Sequence, residues 1–137
     1  MVIDKAKAWF DQYLFKNTFR AFSMGILLTV LVQSSSITTS LVVPMAGAGL
    51  LTLVQIFPYT VGSNIGTTIT AILSALVSGN IAAVTVAFSH LLFNIFGIIV
   101  WFPFKWVPIK MAELFADYST KNKLIPVAYI VVTFFII

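Results

Sequence analysis

An all-α membrane protein is the fold class this sequence predicts, and three observations predict it. Hydrophobic residues make up 60% of the 137 and charged residues only 9%. No Asp, Glu, Lys or Arg occurs from Ala21 to Phe104. The 8 Lys and Arg and 4 Asp and Glu all fall within 1–20 or 105–123. A bilayer span takes ~20 mostly apolar residues, so the uncharged stretch is several spans long. The alternating pattern of a transmembrane barrel is absent. The formal charge of +4 belongs to the flanks. It argues for a multi-pass chain in the cell membrane with flanks 1–20 and 105–123 facing cytoplasm and anionic lipid, and not for nucleic acid. With no cysteine in the chain, disulfides and thiolate metal sites are excluded.

The elements follow in order. In 1–16, Val2, Ile3, Ala6, Trp9, Phe10 and Tyr13 recur at helical spacing opposite Asp4, Lys5, Lys7, Asp11 and Gln12. The region 1–20 therefore reads as an amphipathic interfacial helix; a helix packing on another domain is the alternative. Residues 21–45 are apolar at both ends and polar between, with Pro44 and Gly47-Ala48-Gly49 closing the element. Residues 50–78 form a second long element, expected to break at Gly62–Gly66. Residues 80–104 read as an ordinary span ending in the aromatic belt of Trp101, Phe102 and Trp106. In 105–123, Val107, Met111, Leu114, Phe115 and Tyr118 repeat opposite Lys110, Glu113 and Asp117, which gives a second interfacial helix. Residues 124–137 start a further span, but fourteen residues reach only ~21 Å. A terminal carboxylate would then lie in hydrocarbon, so the natural protein is expected to continue.

Charge placement adds a parity argument. If both basic flanks face the cytoplasm, the chain crosses an even number of times between Arg20 and Lys105. One element must then enter and return on the same side, and 21–45 fits a re-entrant hairpin. Residues 21–104 thus form one unit: hairpin 21–45, broken helix 50–78 and span 80–104. Three plain spans with a basic external loop are the alternative.

Two polar clusters interrupt the apolar run: Gln33-Ser34-Ser35-Ser36-Ile37-Thr38-Thr39-Ser40 and Gly62-Ser63-Asn64-Ile65-Gly66-Thr67-Thr68. A hairpin turning at Gln33–Ser36 would start a helix near Ile37. Its first N–H groups would be unpaired at membrane depth, with Ser34, Ser35 and Ser36 able to cap them or share them with an anion. A break at Gly62–Gly66 would leave Thr67 and Thr68 at a second helix mouth, facing carbonyls that suit a hard cation. Duller readings stand beside these. Hydroxyls in spans often bond back to their own helix, and Gly62-x-x-x-Gly66 is also a helix-packing pattern. His90 and Asn94 lie four apart on one helical face; one His builds no metal site alone. Gly62-Ser63-Asn64 does not match the Gly-x-Ser-Gly turn of an intramembrane serine protease.

Together the clusters resemble the type II sodium/phosphate cotransporter family. The matching stretch runs from about Val32 to Gly97 and includes Gln33-Ser34-Ser35-Ser36, Gly62-Ser63-Asn64-Ile65-Gly66-Thr67-Thr68 and His90-Leu91-Leu92-Phe93-Asn94. Pro108-Ile109-Lys110-Met111-Ala112 also looks like the family's loop after the span. The resemblance implies two such units in inverted orientation, each with a re-entrant hairpin and a broken helix, and substrate between them. This sequence holds one unit, most like the C-terminal one. Gln33, Ser34, Ser35 and Ser36 would contact phosphate and sodium, with Asn64, Thr67 and Thr68 on the facing wall. Thr38, Thr39 and Ser63 join the expected substrate- and sodium-binding set, with His90 and Asn94 behind it.

The expectation is sodium-coupled phosphate symport by alternating access, with no enzyme activity and no cofactor beyond sodium as the coupling ion. Expected partners are phosphate, sodium, membrane lipid and a second inverted repeat unit, in the same full-length chain or a homo-oligomer. Helix ends offer only about half a charge each. A sodium ion ~4 Å from phosphate adds roughly 4 kcal/mol at an effective dielectric near 20, reciprocally for both ions. The cation thus replaces the missing arginine. A non-transporting half-unit or scaffold and an ion channel are the alternatives.

Overall fold

The computed structural model describes Ala8, Tyr13 and residues 15–135. The expected interfacial helix of 1–16 lies largely outside the described residues. Six helices follow: α1 (Thr18–Val32), α2 (Ser35–Gly47), α3 (Leu53–Ser78), α4 (Ile81–Trp101), α5 (Trp106–Lys121) and α6 (Leu124–Phe135). The chain divides into two compact units, Met1–Pro103 and Phe104–Ile137.

In the first unit, helix ends are fixed by local chemistry. Asn17 caps α1 by accepting from the Arg20 N–H at 2.8 Å. At the start of α3, the Thr52 N–H and hydroxyl both donate to Gln55 Oε1, each at 2.9 Å. Gly79, at φ 65°, closes α3. Asn80 then caps α4 by accepting from the Ala82 and Ala83 N–H groups. Two residues therefore suffice to reverse the chain between α3 and α4, and Gly adopts the left-handed turn without steric cost.

Helix α1 packs along α3 at backbone contact. A methyl added at Gly25 would overlap the Tyr59 carbonyl, and one added at Gly62 would overlap the Phe22 carbonyl. At Gly66 it would come within 2.6 Å of Thr29 Cβ. The paired positions advance together along both helices, so α1 and α3 run parallel. Helix α2 and the loop after it must therefore bring the chain back to where α1 began. Helix α4 runs antiparallel to α3, with Asn94 beside Asn64 and Phe102 beside Phe57. The core lies among α1, α2 and α3: Phe15, Ala21, Val42, Leu51 and Tyr59 are buried together, with Met24, Leu28, Met45 and Ile56 against them.

Two corrections concern the expected elements. The break anticipated at Gly62–Gly66 is absent, because α3 runs through it as one helix of 26 residues. Its glycines serve close approach to α1, so no backbone bonding needs to be given up. Of the residues expected to close the first element, Pro44 lies inside α2, and the helix ends where expected at Gly47-Ala48-Gly49. A break between helices does lie at Gln33-Ser34, and α2 starts at Ser35, two residues before the start expected near Ile37.

Helices α3 and α4 are long and apolar enough to cross a membrane. In α4 only Ala87 is buried, whereas the core helix of a soluble protein would be largely covered. Helices α1 and α2, at 15 and 13 residues, reach ~22 and ~20 Å, past the midplane but short of the ~30 Å hydrocarbon thickness.

In the second unit, α5 carries its charged residues Lys110, Glu113, Asp117 and Lys121 on a helix with no buried residue. Phe115 packs against Tyr129 of α6 with the rings tilted by 54° and their centroids 4.9 Å apart.

Candidate functional site at the α1–α2 turn

The turn is built by two residues. Gln33 takes the left-handed conformation (φ 56°, ψ 27°) and is the non-glycine residue with positive φ among the described residues. Its N–H donates to the Thr29 carbonyl at 2.7 Å and closes α1. Ser34 is extended and opens α2, its hydroxyl accepting from the Ile37 N–H at 3.3 Å. The Ser34 carbonyl accepts twice, from the Thr38 N–H at 3.1 Å and the Thr38 hydroxyl at 2.8 Å. The N–H groups of Ser35 and Ser36 lead the helix and have no acceptor within it. Gln33 and Ser36 are exposed, and Ser34 and Ser35 are half-buried. The tip thus presents backbone and hydroxyl donors together.

Back-bonding occupies several of the other expected hydroxyls. Thr39 donates to the Ser35 carbonyl at 2.8 Å. Thr67 donates to the Ser63 carbonyl at 3.1 Å and Thr68 to the Ile65 carbonyl at 2.7 Å. Thr67 and Thr68 therefore stand inside an intact helix, and not at a helix mouth as expected. A hydroxyl whose hydrogen is spent on a carbonyl keeps its lone pairs, so it can still accept a donor or ligate a hard cation.

Buried bridges tie each arm of the turn to α3. Thr29 and Ser63, 1% and 0% exposed, share a hydrogen bond of 2.8 Å between their hydroxyls. The Tyr59 hydroxyl donates to the Thr38 carbonyl at 2.9 Å, also buried. Both arms of the turn are thereby fastened to α3. Asn64 points outward; its carbonyl receives Asn94 Nδ2 at a long 3.5 Å. His90 is exposed and lies beside Ala71, Ser74 and Ser78, near the far end of α3 from the turn. The structure thus joins Ser34 to Thr38 within α2, sets Ser63 against Thr29 of α1, and leaves His90 apart.

Thr29 and Tyr59 were not singled out from the sequence. The small-residue spacing Gly25-x-x-x-Thr29 echoes Gly62-x-x-x-Gly66 and is the signal that marks Thr29. Tyr59 is marked only by being a polar-tipped ring in an apolar run.

The site's electrostatics follow from its composition. Among the described residues, no three His, Cys, Asp or Glu side chains converge. The donors are neutral oxygens and N–H groups, which suit a hard monovalent cation and an oxyanion better than a transition metal.

The chain is similar to known proteins. The family model described as Na+/Pi-cotransporter matches residues 1–114. Sodium-dependent phosphate transport protein 2B of Homo sapiens is 42% identical over 135 residues, 95% of this chain and 19% of that protein. Protein 2C of Rattus norvegicus is 38% identical over 134 residues, 94% of this chain and 21% of that one. Protein 2A of Oryctolagus cuniculus is 38% identical over 122 residues, 85% of this chain and 19% of that one. The chain thus spans about a fifth of the length of the curated relatives it matches. No solved structure matches it. A family match over residues 1–114 of 137 and identities of 38–42% over most of the chain settle its membership: it belongs to the Na+/Pi-cotransporter family.

Proposed function

We propose that this chain supplies one repeat unit of a sodium-coupled inorganic phosphate symporter that works by alternating access. The observation that carries the reading is the α1–α2 turn. Two helices too short to span meet at Gln33-Ser34, and α2 begins there with leading N–H groups and three serines, which supports a hairpin. The parallel course of α1 and α3 supports a hairpin that enters and leaves on one side of the membrane. Basic flanks then face the cytoplasm, with lipid around α3 and α4.

Donors and acceptors divide the work. Phosphate needs donors, and the N–H groups of Ser35 and Ser36, their hydroxyls and the Gln33 amide provide them. Sodium needs neutral oxygens, and the lone pairs of back-bonded Thr39 and Thr67, with Asn64, are open to a cation, whereas the fully buried Thr38, Ser63 and Thr68 hold the helices behind them. Asn94 holds Asn64, and His90 stands outside this set. The pocket is uncharged, so phosphate binding is weak until sodium enters beside it. A second, inverted unit completes the cavity.

Phosphate uptake into proteoliposomes tests the reading. Raising sodium should lower the concentration of phosphate giving half-maximal uptake, by up to about a thousandfold if the two ions lie ~4 Å apart. Phosphate affinity that ignores sodium refutes the coupling. Sodium current without phosphate transport indicates a channel, and the absence of both a scaffold.

A further inference from the structure

Helix α1 is held to α3 along its length by glycine contacts at Gly25, Gly62 and Gly66 and by the Thr29–Ser63 bond. Helix α2 is held differently. Among the described residues, the Tyr59 hydroxyl makes the side-chain hydrogen bond that joins α2 to α3, at 2.9 Å to the Thr38 carbonyl. Thr38 is fully buried, and its own hydroxyl donates to the Ser34 carbonyl at 2.8 Å. A continuous line of bonds therefore runs from Tyr59 through Thr38 to the residue that caps α2. The Tyr59 ring is 2% exposed and lies tilted against Phe15, 5.7 Å away between centroids.

We propose that Tyr59 is a positioning residue: its hydroxyl latches α2 to α3 and so sets where the Ser34–Ser36 tip stands. The latch acts through Thr38 and touches no transported ion. Its consequence for phosphate affinity rests on the symporter reading, whereas its consequence for tip position does not. Without the hydroxyl, the buried Thr38 carbonyl keeps only its own helix as partner, and α2 is free to shift against the rigid α1–α3 pair.

Tyr59→Phe keeps the ring and its contact with Phe15 and removes the hydroxyl alone. Phe15→Leu is the matching control, since it loosens the same core without breaking the latch. The chain has no cysteine, so Ser36→Cys reports on the tip with no background from this stretch. In the membrane-inserted protein, Tyr59→Phe should speed labelling at that position by a membrane-impermeant thiol reagent about five- to tenfold, the worth of one buried hydrogen bond. Phe15→Leu should leave the labelling rate unchanged. In protein that keeps Ser36, Tyr59→Phe should raise the phosphate concentration for half-maximal uptake by a similar factor, with the maximal rate little changed. Equal labelling rates with and without the hydroxyl overturn the latch, as does Phe15→Leu acting like Tyr59→Phe. If sodium-coupled uptake is missing in the unaltered protein, the symporter reading fails, and the labelling comparison still decides the latch. Should Tyr59→Phe reach the membrane poorly, Tyr59→Trp, which keeps a ring N–H donor, is the second variant. It should label at a rate nearer the unaltered protein than Tyr59→Leu does, and the reverse order overturns the proposal.

Discussion

Gln33 occupies a conformation that disfavours side chains. Its φ of 56° costs about 1 kcal/mol that glycine would not incur. A strained residue persists where its side chain has a task, and here that side chain is an exposed amide beside the free N–H groups of α2. Gln33→Gly should keep the turn, stabilise the protein by about 1 kcal/mol and weaken sodium-dependent phosphate binding. Thermal unfolding and phosphate binding, measured on the same preparation, check the two opposite changes. A variant that gains stability and keeps full binding removes Gln33 from the site. Residue types made this part legible beforehand: Gln and Ser in an uncharged run announced a turn with helix donors. They did not announce Thr29 or Tyr59, because a single hydroxyl in an apolar helix bonds to its own backbone more often than to a neighbour.

Whole elements were legible where periodicity alone decides. The span expected at 80–104 became α4, and the amphipathic stretch in 105–123 became α5. The misreading at Gly62–Gly66 has a physical source. Glycine both breaks helices and lets them touch, and one sequence does not say which use applies. The partner decides, and the partner is α1, more than thirty residues away. The contact is tight enough to test. Gly62→Ala drives a methyl into the Phe22 carbonyl, an overpacking that should cost about 1–3 kcal/mol. Gly97→Ala in α4 meets nothing within 4 Å and should be neutral or stabilise by up to about 1 kcal/mol through helix propensity. Melting temperatures of both variants in detergent check the contrast. Equal behaviour would mean that α1 and α3 do not meet at their backbones.

At the scale of the molecule, the exposed surface is the informative quantity. Phe93 on α4 is 75% exposed, and Phe96 and Ile99 are also mostly uncovered, on a helix of 21 residues without a charge. Water would make such a surface aggregate, whereas lipid makes it ordinary. Phe93→Lys near the middle of α4 should cost about 3 kcal/mol of membrane insertion, read as a fall in the inserted fraction by glycosylation mapping. Unchanged insertion would mean that this position meets protein or a wet cavity instead of acyl chains.

The joint between α3 and α4 has a consequence for biogenesis. Gly79 and Asn80 form the whole connection, and neither is charged. A link that short gives the two rods no freedom to enter the bilayer one after the other. They must partition as a pair, with the reversal leading and no ionised group to drag through oil. A nascent chain cut after Ser78 would therefore strand α3, while one extended through Trp101 could settle in a single step.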